Sequence, residues 1–265
     1  MNFLKYVQFS PDLMNNIGEI VAKNRVTVIE NVPDYIANDG FYIPLGEQLG
    51  TLIRKGFNPF THEIINESWE DVVYQEEHVN ATYKFSNKHH PLHTDFCDSS
   101  IDLSLVYLIC RKQADYGGDT IFLDAELLLT LLQKYRPQLL EDIQHHDVIF
   151  GNKPHPIFRA IGKILEFDDQ GPLFRWNFHV VAEENSEEVK RIAQDFHYFL
   201  ETFVFAAKIP TALNMKANDA VIIHDFRVLH GRNAYLGHRH MWKAAIATSD
   251  REAIRAKLLE LNLTM

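Results

Sequence analysis

Apolar positions recur along the chain at helical spacing near both ends and at alternating spacing in the middle. Ser10-Pro11-Asp12 reads as a helix start, with Ser10 as cap and Pro11 in the first turn, and Leu13, Ile17, Ile20 and Val21 form the stripe that follows. Val26 to Ile29 is a short β-branched run and is expected to be a strand. Leu45, Leu49 and Leu52 share one helix face that Gly56 would close. From Ile101 to Ile109 apolar and alternate positions follow a period of two, which predicts a strand. A Gly-Gly turn leads into a strand at Thr120 to Leu123, and Asp124 caps a helix that runs to about Tyr135, before Pro137.

Val148 to Phe150, Lys163 to Phe167 and Leu173 to Val181 are further strand candidates between Gly, Pro and Asp turns. Asn185 with Glu188 suggests a capping box, and Val189, Ile192, Phe196, Phe199 and Phe203 line an inserted helical segment near residues 185–206. Ala220 to Ile223 and Trp242 to Ala247 are the last strands, and Asp250 caps a closing helix. Helices at both ends with short strands between them suit an α+β domain or a decorated antiparallel barrel better than a regular parallel sheet. With no repeat or Gly/Ser-rich linker, residues 1–265 read as one domain.

Composition narrows the function classes. A hydrophobic fraction of 46% supports a sizeable core, and a net charge of −10 argues against nucleic-acid binding, which needs clustered cations. The two cysteines, Cys97 and Cys110, form neither a disulfide framework nor a zinc ribbon. No secretory signal and no span of membrane length is visible, so a cytoplasmic protein without membrane contact is expected. The 14 histidines invite a search for a metal site.

Pro91-Leu92-His93-Thr94-Asp95 is the sharpest local feature. In extended chain, residues two apart share a face, so His93 and Asp95 can converge on one ion. On its own such a pair reads more simply as a surface turn. His230, in Val228-Leu229-His230-Gly231-Arg232, is the best third ligand. Two histidines and a carboxylate occupy one face of an octahedral metal, the arrangement of non-haem Fe(II) oxygenases, and leave positions for a 2-oxo acid and O2. Arg239 has the fork geometry to clamp the distal carboxylate of 2-oxoglutarate, and Thr120 can add a hydroxyl donor to it. Singly, Arg239 reads as a solvated strand-end charge and Gly117-Gly118-Asp119-Thr120 as a hairpin turn.

His93-Thr94-Asp95, Gly117 to Thr120, Arg227 to Arg232 and Arg239-His240 occur in the order typical of the taurine dioxygenase/TfdA-like superfamily, and the chain resembles that group over about Tyr83 to Thr248. The group includes γ-butyrobetaine-hydroxylase-like and clavaminate- and carbapenem-synthase-like enzymes. The resemblance implies a double-stranded β-helix, or jelly roll, with flanking helices. It also implies Fe(II) on His93, Asp95 and His230, with 2-oxoglutarate anchored by Thr120 and Arg239. The implied reaction oxidises an unactivated C–H bond, most simply by hydroxylation, with release of succinate and CO2. Halogenating relatives carry a small residue at the position of Asp95, so a carboxylate there fits hydroxylation. Where relatives have Asp-Asn, this chain has His224-Asp225, and His224 is read as a turn residue, not a rival ligand.

Lys243 stands where relatives carry a second basic residue that touches substrate. Arg175 and Asn177 would share a strand face opposite Trp176, and His89, beside His90, would line the pocket entrance. For Arg175 the bland alternative is a surface ion pair, and for His89 a solvated loop. Together these residues point to a small anionic or zwitterionic substrate, such as an amino acid or a derivative. Three other outcomes stay open: desaturation or ring closure by the same chemistry, a zinc hydrolase, and a non-catalytic binding protein. Oligomeric state is not legible.

Overall fold

The computed structural model describes residues 1–54, 56–57, 64–65, 69–76, 83–100, 103–151, 159–249 and 252. In chain order its principal elements are β1 (Asn2–Gln8), α1 (Leu13–Lys23), β2 (Asn24–Glu30), α2 (Asp39–Glu47), β3 (Thr51–Ile53), β4 (Glu70–Val73), β5 (His90–His93), β6 (Leu105–Lys112) and β7 (Thr120–Asp124). There follow α3 (Ala125–Tyr135), α4 (Pro137–His145), α5 (Glu187–Phe199), β8 (Thr211–Leu213), β9 (Ala220–His224), β10 (Val228–Arg232) and β11 (His240–Ala247). Seven strands form one sheet in the order β1-β2-β9-β6-β11-β3, with β4 also pairing with β11. Four form a second sheet, β8-β7-β10-β5. Apart from the parallel β1–β2 pair, every strand pair in these two sheets is antiparallel.

Strand parity builds the layers. Leu105, Tyr107 and Ile109 of β6 pack with Leu13, Ile17 and Val21 of α1 and with Tyr42 and Leu45 of α2. The intervening Val106, Leu108 and Cys110 face the second sheet, where they meet Phe122 and Val228. A strand covered on both faces has no polar side, which is why β6 reads as a nearly continuous apolar run. On the four-stranded sheet, Ile121, Leu123, Leu229 and Leu92 point outward onto α3, α4 and α5. Phe122 and His230, register partners, point inward. The result is a jelly roll between two helical layers, as the resemblance implied. Among the described residues no helix is long and apolar enough to cross a membrane.

Several expected boundaries move. The second helix ends at Glu47, and Thr51–Ile53 is a strand, not a further turn carrying Leu52. Lys163 to Phe167 splits at Ile164 into the ends of two hairpins, Asp147–Phe150 with Ala160–Lys163 and Leu165–Asp168 with Gly171–Phe174. Leu173 to Val181 is a strand only to Phe174, and Phe178–Val180 is a 3-10 turn. Ser186, not Asn185, caps α5 by accepting from Val189 N. The Asn185 side chain instead accepts from Ile149 N and donates to Ile149 O and Ala182 O. The inserted helix continues as a π-helical turn, Leu200–Phe205, which carries Phe203. Gly56 closes no helix: it begins a short strand, Gly56–Phe57, paired with Ile64–Ile65. The start of the alternation at Ile101 and the closing helix from Asp250 lie outside the described residues.

Candidate metal centre

His93 and His230 are direct register partners across β5 and β10, so both side chains leave the four-stranded sheet on its inner face at the same height. Their ring centroids are 4.6 Å apart. His93 Nδ1 lies 2.8 Å from Pro91 O. An N–H donated there leaves the Nε2 lone pair pointing away from the backbone, the tautomer a metal ligand needs. Asp95, just past the end of β5, completes the cluster: Oδ1 is 3.5 Å from His93 Nε2 and Oδ2 is 3.3 Å from His230 Nε2. One donor atom from each residue lies within 4.8 Å of the others. Asp95 Oδ2 is buried and receives no hydrogen bond, and such an orphaned oxygen is costly to bury unless a cation meets it.

The chain between the two ligands of the His-x-Asp segment is fixed from two sides. Thr94 N donates to Trp176 O at 2.6 Å, and Trp176 N donates to Thr94 Oγ1 at 3.0 Å. The buried Asp225 carboxylate accepts Asp95 N at 2.9 Å and Phe96 N at 3.0 Å, and its Oδ1 lies 3.9 Å from His230 Nδ1. Burial and the nearby Asp95 charge push the Asp225 carboxyl up to about 8. The sequence motifs assign Asp225 no role. His224, expected as a turn residue and not a rival ligand, points away from the cluster, with Nε2 3.0 Å from Val21 O.

Two of the three motif glycines, Gly231 and Gly118, have distinct tasks. A Cβ on Gly231 would lie 2.6 Å from His90 O and 3.2 Å from Pro91 O, so only glycine lets β10 approach β5 this closely. Gly118 has φ +75°, open to glycine at no steric cost, and its carbonyl accepts Arg239 Nε at 3.1 Å. Arg239 Nη2 makes a long contact of 3.4 Å to Thr120 Oγ1. Burial, helped by the neighbouring Arg232 charge, pushes the Arg239 guanidinium down to about 10. No carboxylate of the described residues lies within ion-pair distance of it. Arg232 is also buried and donates through Nη2 to Ser86 O at 2.6 Å and Lys88 O at 2.8 Å. Two buried guanidinium groups without a counterion among the described residues leave this end of the cavity in need of an anion.

The cavity itself is about 70 Å³, and its walls include His90, Asp95, Thr120, Arg239, Glu70 and Lys243. Lys243 reaches the metal cluster directly, with Nζ 2.6 Å from Asp95 Oδ1. Burial is the largest single influence and opposes charge on both groups, yet Lys243, His230 and His93 together hold the Asp95 carboxyl well below its usual range, and Asp95 with Glu70 and Asp225 holds the Lys243 ammonium above its own.

The remaining expected substrate residues are not brought to this cavity. Between His230 and Arg232 the pairing slips by one residue, Arg232 facing His90, and this bulge reverses the parity of β5. His90, not His89, therefore stacks on His93 at 4.1 Å. His89 turns to Glu201, 3.1 Å away, and stacks on Phe205. Arg175 donates to Cys97 O at 2.9 Å and lies over the Phe226 ring. Asn177 caps the 3-10 turn by accepting from His179 N at 3.1 Å. Cys97 is buried, and burial pushes its thiol well up, which keeps it inert.

A family profile described as "Taurine catabolism dioxygenase TauD, TfdA family" matches residues 1–245. No curated protein sequence matches the chain. Among solved structures, asparagine oxygenase in complex with Fe(II), 2S,3S-3-hydroxyasparagine and succinate is similar, with a TM-score of 0.69 at 12% identity over 92% of this chain and 80% of that one. The non-haem iron oxygenase OrfP with Fe, succinate and (3S)-hydroxy-L-Arg gives 0.65 at 14% identity over 93% and 83%. PvcB from Pseudomonas aeruginosa gives 0.62 at 15% identity over 95% and 91%. At such identities these likenesses show a shared fold.

Proposed function

The chain belongs to the taurine catabolism dioxygenase TauD, TfdA family, and from that premise we propose that it hydroxylates a C–H bond of a small amino acid or amino-acid derivative, with His93, Asp95 and His230 as the iron ligands. As a member it is a 2-oxoglutarate-dependent non-haem iron oxygenase that uses Fe(II), 2-oxoglutarate and O2. Bound iron supplies O2 activation and C–H oxidation, coupled to conversion of 2-oxoglutarate to succinate and CO2.

The observation that carries the residue assignment is one cavity holding both the three-donor cluster and a buried guanidinium, Arg239, that has no counterion among the described residues. Arg239 and Thr120 would take the distal carboxylate of the co-substrate, with Arg232 adding positive charge beside them. A zinc hydrolase would have no use for that arginine. The inward parity of the four-stranded sheet orients both histidines, and Asp225 holds the backbone at Asp95.

What supports an amino-acid substrate is the polarity of the opposite wall, where Lys84, Glu70 and Lys243 offer both signs of charge to a zwitterion. OrfP and asparagine oxygenase, similar in fold, were solved with hydroxylated arginine and asparagine. A test is succinate formation by the iron-loaded enzyme across a panel of amino acids, betaines and sulfonates. At least one amino acid should raise succinate well above the uncoupled rate. Turnover that ignores 2-oxoglutarate and requires zinc would end this reading.

A further inference from the structure

Four charges of alternating sign run along the wall of the cavity. Lys84 Nζ is 2.6 Å from Glu70 Oε1, Glu70 Oε2 is 3.8 Å from Lys243 Nζ, and Lys243 Nζ is 2.6 Å from Asp95 Oδ1. The backbone sets the middle of this row, since Lys243 and Glu70 are register partners on β11 and β4. The Lys243 and Asp95 side chains are only 19% and 9% exposed, so water screens the contact little.

The two oxygens of Asp95 are thereby made different. Oδ1 accepts a hydrogen bond from the Lys243 ammonium, while Oδ2 is buried without a hydrogen-bond donor and faces His230 Nε2 at 3.3 Å. A carboxylate with two free oxygens can close both on a cation and occupy two coordination positions. One whose first oxygen is already bonded offers the second alone.

Resting on the reading that the triad holds iron, we propose that Lys243 is a positioning residue for Asp95. It binds Oδ1 so that Oδ2 is the single oxygen presented to the metal, and Glu70, anchored by Lys84, keeps the ammonium in place. This gives Lys243 a task that precedes substrate. A lysine whose only work is to receive a substrate anion has no effect on metal binding in the substrate-free protein.

The experiment is an anaerobic titration of Fe(II) into the full chain with saturating 2-oxoglutarate and no substrate, followed by the weak visible band of the Fe(II)–2-oxoglutarate complex. The proteins compared are wild type, Lys243→Met, Lys243→Arg, Glu70→Gln and, as control, His230→Ala. Removal of a group that orients a metal ligand typically weakens binding about 10- to 100-fold. Lys243→Met should fall in that range and shift the band, Glu70→Gln should move affinity in the same direction by a smaller factor, and Lys243→Arg should restore most of it. Circular dichroism checks that each variant is folded. If Lys243→Met does not fold, Glu70→Gln carries the test. Affinity equal to or tighter than wild type in Lys243→Met, or wild-type affinity in Glu70→Gln, overturns the proposal. A raised substrate KM with unchanged Fe(II) affinity would assign Lys243 to substrate alone. Retention of the band in His230→Ala would instead sink the triad on which the inference rests.

Discussion

On the four-stranded wall of the cavity, His93 and His230 stand opposite each other because their strands are in register, and backbone hydrogen bonds hold them there. On the seven-stranded wall, Lys243 and Glu70 are also register partners, but their ends are held by charge: by Asp95, by each other and by Lys84. The first wall presents lone pairs at fixed height. The second presents a balanced row of charges that a metal, a co-substrate or a substrate can redistribute. The histidine geometry should therefore depend on strand approach and tolerate changes of charge, whereas the presentation of Asp95 and the affinity for anions and substrate should follow individual charged partners.

The largest effect expected breaks the first wall outright. His93→Ala or His230→Ala should lose bound iron after gel filtration and produce no succinate, as measured by metal analysis and product assay. An undiminished rate in either variant would show that register is not what builds the centre. Arg239→Ala attacks the charge-dependent side. Truncating one partner of a buried charged pair costs roughly 2–5 kcal/mol, so 2-oxoglutarate affinity of the iron-loaded enzyme should fall by roughly 30-fold to a few thousand-fold, with iron bound as before.

A smaller and sharper test concerns strand approach. Gly231→Ala places a Cβ 2.6 Å from His90 O, a backbone atom that no rotamer change can move. It should cost about 1–3 kcal/mol of stability, seen in the denaturant midpoint, and should weaken iron binding although no charge changes. The smallest effect is expected for Thr120→Val. Loss of one hydroxyl contact is worth about 0.5–1.5 kcal/mol, so 2-oxoglutarate binding should weaken severalfold while iron affinity stays put.

The sequence disclosed the first wall better than the second. Period-two alternation and the His-Thr-Asp spacing placed His93 and Asp95 together, and the Leu229-His230-Gly231 block supplied the third donor. The helix stripe from Val189 to Phe199 is buried as its spacing required. What parity cannot anticipate is a bulge: one slipped residue in β5 brings His90 and not His89 to the cavity. Arg175 and Asn177 looked like a substrate face because Leu173 to Val181 was read as one strand. The strand pairing ends at Phe174, Arg175 donates to the carbonyl of Cys97, and Asn177 caps the 3-10 turn that follows it. Asp225 was missed because its partners, the amides of Asp95 and Phe96, lie 130 and 129 residues away, a separation no local pattern reports. Glu70 was missed for the same reason, its register with Lys243 being a property of the folded sheet.

The most direct measurement is the anaerobic absorption spectrum of the wild-type chain titrated with Fe(II) and 2-oxoglutarate. If His93, Asp95 and His230 hold iron beside Arg239, one equivalent of each should produce a weak visible charge-transfer band that zinc abolishes by competition. A spectrum that stays silent at saturating iron and 2-oxoglutarate would contradict the account.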